Sequence, residues 1–491
     1  MDIDNKSVLV EELVNSFKEI MSVSISNKKQ EKAMAAISAG CQVLYQYNQR
    51  YVDEDFENGI LSIAKYYSNI YRDILDQYCP EKNTVLFYDG FGLDTRGVAK
   101  MYINALAKNG YRIIYAAPDK AKTRLPETLV LLRQASADIF FIETEKTYAL
   151  WVKQLLDVIF KFRPKSMLFY TTPNDSAGAT AFAVMQEKAE RFLIDLTDHA
   201  FWLGTHSNDF FCGSREMSAS NQIYERNIPR EKLIKLGVNL IIDEGDDHSG
   251  LPFDVTSEKY IFSGGQLYKT LGDKDLLYYK IVDYILANHQ GIKYLYAGSG
   301  DHSEMDKIIE KYPDRAFLIP ERKDFYYLIK NCILYLNTYP MFGGMMMKYS
   351  ANAGKLPITL KHENDSDGLL LDQESRKIEY RSLEELVTDI DRLLEDEEYL
   401  AERENLLKGS VISEERFVNN VRLTIEEHHT DYEHGNKKID TSQFKKEFYD
   451  RFELDQVKDL ISIRINKSLF INYPWMALRV LKRKLSKLVN N

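Results

Sequence analysis

From Thr84 onward the chain repeats one pattern: a short, continuously apolar run, a polar loop, then a longer stretch with helical spacing. Apolar runs fall at 84–88, 111–117, 139–142, 166–170 and 192–195, with helices expected over 98–109, 149–162 and 177–191. A strand with one wet face alternates polar and apolar residues; these runs do not alternate, so both faces are covered. Strands separated by helices pair in parallel. Residues 82–245 therefore read as a Rossmann-like half. After the polar stretch 243–250 the pattern resumes, with runs at 260–262, 293–297, 316–319, 333–336 and 357–360. Helices are expected at 275–288, 303–312, 324–331, 345–353, 382–398 and 414–427, which closes a second half over 256–430. The expected fold class is α/β: two Rossmann-like domains facing a cleft, with ligands outside the carboxyl ends of the strands.

Ahead of the strands, residues 1–80 carry Val8, Leu9, Leu13, Phe17 and Ile20, then Ile60, Ile63, Ala64, Tyr67, Ile70 and Tyr71, at helical spacing. They read as an N-terminal helical extension, a cap or a homo-oligomerisation module, and nothing in it suggests chemistry. Three modules suit 491 residues, since domains run ~100–200 residues. The chain is aromatic in an uneven way, with 32 Tyr and 24 Phe but 3 Trp.

Charge narrows the partners. A net charge of −10 argues against a sequence-independent nucleic-acid binder, which needs clustered cations. That total hides a segregation. In the helical tail expected over 440–491, residues 461–491 carry Arg464, Lys467, Arg479, Lys482, Arg483, Lys484 and Lys487 and no acidic residue, so the rest of the chain holds −17. Leu478, Leu481, Leu485, Leu488 and Val489 gather on the opposite face, after Pro474 and Trp475. A basic amphipathic helix with an aromatic anchor suits an anionic membrane surface, each cation contributing about 1 kcal/mol. The other reading docks it on the acidic body of the protein. Four dispersed cysteines (Cys41, Cys79, Cys212, Cys332) fit a reducing cytoplasm, and the acidic start Met1-Asp-Ile-Asp-Asn5 is no secretion signal. No run reaches the ~20 apolar residues of a membrane span.

The loops that follow the strands carry the chemistry. Pro340-Met-Phe-Gly-Gly344 opens a helix, where backbone N–H groups and the helix dipole favour a diphosphate. Ser263-Gly264-Gly265 with Lys269 offers the same logic, close backbone approach plus a cation, although a Gly-Gly turn with a solvated lysine fits equally. Gly298-Ser-Gly300 resembles the start of a dinucleotide fingerprint whose third glycine is replaced by Ser303. Two of the chain's Asp-x-Asp pairs, Asp2/Asp4 and Asp389/Asp391, fall in terminal and helical surroundings, not on a strand-end loop. No metal or cofactor is expected.

On these segments the chain resembles the Leloir glycosyltransferases of the GT-B fold, over roughly residues 82–430. The carriers are Phe262-Ser-Gly-Gly-Gln-Leu-Tyr-Lys269, Ala297-Gly-Ser-Gly300, and Tyr339-Pro-Met-Phe-Gly-Gly-Met345 with Ala351-Asn-Ala-Gly-Lys-Leu-Pro357. The resemblance implies that the second half binds a nucleotide-sugar: Gly264, Gly265, Lys269, Gly298 and Gly300 line the donor loops. Pro320, Glu321 and Arg322 would lie by the nucleobase, and Phe342, Gly343, Gly344 and Met345 would hold the diphosphate. Retaining members carry an acidic pair around the Gly-Gly turn; Asn337 or Thr338 and Lys348 or Tyr349 stand there instead. That turns the expectation towards inversion, which needs a base on the acceptor side.

Ile194-Asp-Leu-Thr-Asp-His-Ala-Phe-Trp-Leu-Gly204 supplies one. It looks like a segment of some bacterial polysaccharide and protein glycosyltransferases. A histidine beside a carboxylate can take the proton of an acceptor hydroxyl, so His199 with Asp198 is the first candidate. In the competing reading His199 only bonds backbone at a strand end and Phe201-Trp202 are core. Asp94 is the second candidate base. Gly92, Trp202 and Arg215 are the expected acceptor contacts. The resulting expectation is a cytoplasmic, metal-independent transferase moving sugar from a nucleotide-diphosphate donor, UDP favoured, to a carbohydrate or lipid-linked acceptor in bacterial surface-polymer synthesis. A nucleotide-sugar epimerase and an inactive GT-B partner of another transferase are the alternatives.

Overall fold

The computed structural model describes residues 3–94, 97–245, 247–361, 370–432, 435 and 438–452. The chain divides into two compact units: Met1–Leu236 with the described part of Val418–Asn491, and Gly237–Phe417.

The first unit holds a seven-stranded sheet, built from β1 (Glu81–Asp89), β2 (Arg112–Pro118), β3 (Asp138–Ile142), β4 (Pro164–Tyr170), β5 (Glu190–Ile194), β6 (Phe210–Gly213) and β7 (Leu233–Lys235) in the order β3-β2-β1-β4-β5-β6-β7. Every pairing is parallel. The apolar runs behave as their lack of alternation requires: Val85 through Asp89 are all buried. The helix expected over 177–191 is shorter, Ser176–Val184, because Glu187 turns left-handed (φ 62°) and β5 begins at Glu190. Apart from Phe182 and Val184 its residues are small, and all are buried, so a second helical layer can approach closely. That layer comes from the N-terminal helices, Ile3–Ser26, Gln30–Tyr47 and Glu54–Ile70. Leu13, Phe17, Ile37, Leu44, Ile60 and Ile63 share one hydrophobic core with Leu86, Tyr88 and Phe182. Each such large side chain withdrawn from water contributes about 1.5–3 kcal/mol. The Ser442–Arg451 helix packs on this unit too, with Tyr449 and Phe452 against Tyr47.

The second unit holds β8 (Tyr260–Gly264), β9 (Lys293–Ala297), β10 (Ala316–Ile319), β11 (Leu334–Leu336), β12 (Leu356–Leu360) and β13 (Glu379–Tyr380), in the order β10-β9-β8-β11-β12-β13, again all parallel. Tyrosine does much of the filling: Tyr260, Tyr278, Tyr294 and Tyr335 are fully buried. A buried hydroxyl needs a partner, and these find one. Tyr260 donates to the Leu328 carbonyl, Tyr335 to the Gly264 carbonyl, and Tyr278 pairs with Tyr294. The long helix expected over 382–398 is two, Leu383–Glu395 and Glu397–Asn405, because the Asp396 side chain accepts from Tyr399 N and starts a new helix.

In each sheet the strand order reverses once, between β1 and β4 and between β8 and β11. Such switch points are where open α/β sheets place ligands. Among the described residues no helix is long and apolar enough to cross a membrane. The basic segment 461–491 lies outside the described residues.

Candidate active site

In the second unit, three strand-end loops are stapled together. Gly265 N donates to the Ala297 carbonyl (3.0 Å), Leu267 N to Ser299 (2.9 Å) and Gly298 N to Ile319 (2.9 Å). This closeness dictates glycine at 298: a Cβ there would lie 2.0 Å from the Gly265 carbonyl oxygen. Gly265 itself has φ +127°, a conformation side chains resist. Gly298→Ala is therefore expected to destabilise this unit by about 1–3 kcal/mol, as overpacking does, and to weaken nucleotide binding. Chemical unfolding and nucleotide titration read the two effects.

Opposite these loops, β11 runs into buried Asn337 and Thr338. The Asn337 Oδ1 accepts from Gly343 N (3.1 Å), and the Thr338 hydroxyl donates to the Met341 carbonyl (2.7 Å). Lys269 ties the two sides: its carbonyl accepts from Met341 N (3.2 Å) and its Nζ donates to the Phe342 carbonyl (3.4 Å). The loop is thus preformed around the start of the Gly344–Asn352 helix. The N–H groups of Gly344, Met345 and Met346 open that helix, with no acceptor inside it. Backbone donors, the positive end of the dipole and a lysine converge at the switch point.

Two expected donor contacts are corrected here. Phe342 is buried in the hydrophobic core, so it offers Lys269 a carbonyl and no side chain to a ligand. Arg322 is committed elsewhere: its guanidinium grips Asp324 through two bonds of 2.7 Å and donates to the Ser249 carbonyl (3.0 Å). Asp324 also meets His248 Nδ1 at 3.1 Å. Burial would raise the Asp324 carboxyl, yet Arg322 and His248 together hold it below the usual carboxylate range. Pro320 and Glu321 are exposed. Glu321 accepts from Ser299 Oγ (3.1 Å) and from the Gln266 amide, linking the ends of three strands. Gln266 and Ser299 lie within the loop segments 262–269 and 297–300, but the sequence reading assigns neither a contact there. Met345 is 40% exposed and Tyr268 55%, two large side chains available at the loops.

In the first unit, the loop after β1 is shaped by buried Asp89, which accepts from Gly92 N (2.9 Å) and from the Tyr115 hydroxyl (2.6 Å). Gly92 is therefore a turn former. Asp94 is corrected as a base. Its two oxygens accept from Glu127 N (2.7 Å), Thr128 N (3.0 Å) and the Thr128 hydroxyl (2.5 Å), and so start the Pro126–Gln134 helix.

After β5 the carboxylates take different roles. Asp198 is buried and gripped by Arg215, Nε to Oδ2 at 2.5 Å and Nη2 to Oδ1 at 2.8 Å. Burial alone would raise its carboxyl; the Arg215 charge and hydrogen bonds, then His199, outweigh burial and hold it well below the usual range. His199 Nδ1 lies 3.4 Å from Asp198 Oδ1, and its side chain keeps 35% exposure. The arrangement is Arg215–Asp198–His199, a carboxylate fixed by a cation and turned to an accessible imidazole. Trp202 is corrected as an acceptor contact: it is 4% exposed, lying 3.7 Å from the Arg226 guanidinium and stacked on Phe211. Arg226, absent from the sequence reading, is buried. It donates to the carbonyls of Ala200 (2.7 Å) and Tyr51, and burial lowers its pKa to about 10.

Asp195, also buried, accepts from Ser218 Oγ and Gln222 Nε2, both at 2.8 Å. Burial, reinforced by the neighbouring Asp198 charge, pushes its carboxyl up to about 6 from 3.8. Between those values the folded state holds a proton that the unfolded chain has lost, so stability falls as pH rises through the window. Asp195→Asn keeps the shape and both donors while removing the titration. The variant is expected to match the parent below about pH 4 and to exceed it at pH 7 by roughly 2–3 kcal/mol, read by unfolding at both pH values.

No family model and no curated protein matches the sequence. Solved structures do match. A glycosyltransferase from Rickettsia africae shares 11% identity over 71% of this chain and 98% of its own, with a TM-score of 0.52. A UDP-N-acetylglucosamine 2-epimerase shares 10% identity over 73% of this chain and 99% of its own, with a TM-score of 0.51. The fold is GT-B.

Within the GT-B frame the structure brings Gly264, Gly265, Lys269, Gly298, Gly300, Gly343 and Gly344 together around one switch point. Asp198, His199 and Arg215 form a second cluster at the ends of β5 and β6. It withdraws Asp94, Trp202, Phe342 and Arg322 into structural contacts. Among the described residues no group of three or more His, Cys, Asp or Glu is placed to hold a metal ion.

Proposed function

We propose that the chain is a glycosyltransferase that moves a sugar from a nucleotide-diphosphate sugar, UDP-sugar favoured, to a hydroxyl of a carbohydrate or lipid-linked acceptor in bacterial surface polysaccharide or glycoconjugate synthesis. The observation that carries this reading is the preformed Gly343-Gly344 helix start with Lys269 beside it, a site built for a diphosphate. Its helix N-terminus and cation stabilise the nucleoside diphosphate as the sugar C1–O bond breaks, without a metal. In the other half, His199, oriented by Asp198, takes the proton of the attacking hydroxyl. One displacement inverts the anomeric centre. The protein would work in the cytoplasm, with residues 461–491 holding it at the inner face of the plasma membrane. Flotation with anionic vesicles, compared before and after truncation at about residue 465, tests that placement; unchanged binding sinks it.

A second reading, nucleotide-sugar epimerase, is favoured by the epimerase that shares the fold along nearly its whole length. Thermal shift across nucleotide diphosphates and nucleotide-sugars, followed by product analysis, separates the two. Release of UDP only with acceptor present supports transfer, whereas an isomerised UDP-sugar without acceptor supports epimerisation. No stabilisation by any nucleotide defeats both.

A further inference from the structure

The loop that carries His199 is held from a distance by two polar side chains of the N-terminal helices. Asn48 follows the Gln30–Tyr47 helix in the left-handed conformation (φ 47°) and is fully buried. Its Nδ2 donates to the His199 carbonyl (3.0 Å) and its Oδ1 accepts from Phe201 N (3.0 Å). One amide thereby grips the backbone on both sides of Ala200. Glu57, on the Glu54–Ile70 helix, is 1% exposed and accepts from three successive backbone groups: Gly204 N (2.9 Å), Thr205 N (3.0 Å) and His206 N (3.1 Å).

Burying an amide and a carboxyl is costly unless their hydrogen bonds are made. Burial raises the Glu57 carboxyl even against its three N–H donors. An apolar residue at either position would instead strand backbone groups of the 199–206 loop without their partners. The imidazole is steered by Asp198 from one side and flanked by Phe444 and Phe448, whose ring centroids lie 6.3 and 6.2 Å away. Neither contact fixes the backbone from which the ring hangs. Asn48 and Glu57 do.

We infer that Asn48 and Glu57 are positioning residues for His199, so that the N-terminal helical extension is part of the catalytic machinery and not only a cap. This inference rests on the reading of His199 as the base. A displacement of about 1 Å can cost on the order of 10²-fold in rate, so Asn48→Ala is expected to lower kcat about 10–100-fold, with donor affinity and donor stoichiometry unchanged. Asn48→Asp keeps the acceptor for Phe201 N and loses the donor to the His199 carbonyl. It is expected to fall between parent and Asn48→Ala. Its pH profile of kcat should also move to higher pH, because a new carboxylate beside the loop favours the imidazolium. Glu57→Gln, which keeps an accepting oxygen, is expected to retain more activity than Glu57→Ala.

The assay measures acceptor-dependent UDP release and donor-binding stoichiometry on the full chain. A purely structural role would lower the fraction of chains with a folded first unit, read by Trp151 and Trp202 fluorescence, and leave the pH profile of the remainder in place. If Asn48→Ala does not fold, Asn48→Asp carries the test. Parent kcat and parent pH profile in a folded, donor-binding Asn48→Asp overturn the inference. His199→Ala separates the layers: if it keeps full turnover, the base assignment fails first, whatever the Asn48 variants do.

Discussion

A His199→Ala chain is expected to bind nucleotide-sugar as the parent does and to transfer sugar about 10²–10⁴ times more slowly, the range a positioned general base contributes. The two halves of the expectation come from different places. His199 belongs to the first unit, while Gly264, Gly265, Lys269 and the Gly344 helix belong to the second, so removing the imidazole leaves the diphosphate site untouched. Its backbone ties to Asn48 run through the carbonyl and the following N–H, which alanine keeps. Partial exposure of the ring makes its loss cheap for stability. Isothermal titration with donor and steady-state transfer rates measure the two quantities. Equal loss of donor binding and turnover would place His199 in a structural role. Unchanged turnover would move the base elsewhere, and among the carboxylates near it Asp195 is a poor replacement, being buried against Ser218 and Gln222.

Much of this architecture was legible in the amino-acid order because it depends on short-range pattern. Apolar runs without alternation marked the parallel strands, and glycine pairs after β8 and β11 marked the two switch-point loops. What escaped depends on partners far along the chain. Asn48 and Glu57 lie about 150 residues from the loop they hold; locally, Glu57 is only an acid interrupting the apolar face of Phe56, Ile60 and Ile63. Trp202 and Phe342 sit beside motif residues, and only packing shows that they face inward. Capping misled as well. Asp94 looked like a loop carboxylate until Glu127 and Thr128 claimed its oxygens, and Asp396 divided a helix that periodicity ran through. Strands β6 and β7, four and three residues long, were not read from the sequence, although β10 and β11, equally short, were.

Arg215→Met is expected to destabilise the first unit by about 3–5 kcal/mol, the usual consequence of leaving one member of a buried ion pair unmatched. Asp198 sits at 4% exposure and its two oxygens meet Arg215 at 2.5 and 2.8 Å, so the loss is a desolvated charge without its cation. Methionine keeps the apolar stem of the side chain, which limits any loss of packing. Because the chain has two units, urea unfolding needs a probe confined to one of them, and Trp151 and Trp202 both lie in the first. The pH dependence gives the sharper signature. In the parent, the depressed Asp198 carboxyl adds stability above its ordinary value of 3.8, and that contribution is lost as pH falls through the lower folded value. In Arg215→Met the same group is buried without its cation and its pKa rises, so the penalty is largest at neutral pH and shrinks on acidification. The gap between variant and parent should therefore narrow from pH 7 towards pH 4. Adding Asp198→Asn to Arg215→Met should recover much of the loss at pH 7, since no charge is then left unpaired. A deficit that stays constant across that range, or that the double variant does not relieve, would mean that Arg215 acts through packing and that Asp198 does not depend on it for its charge.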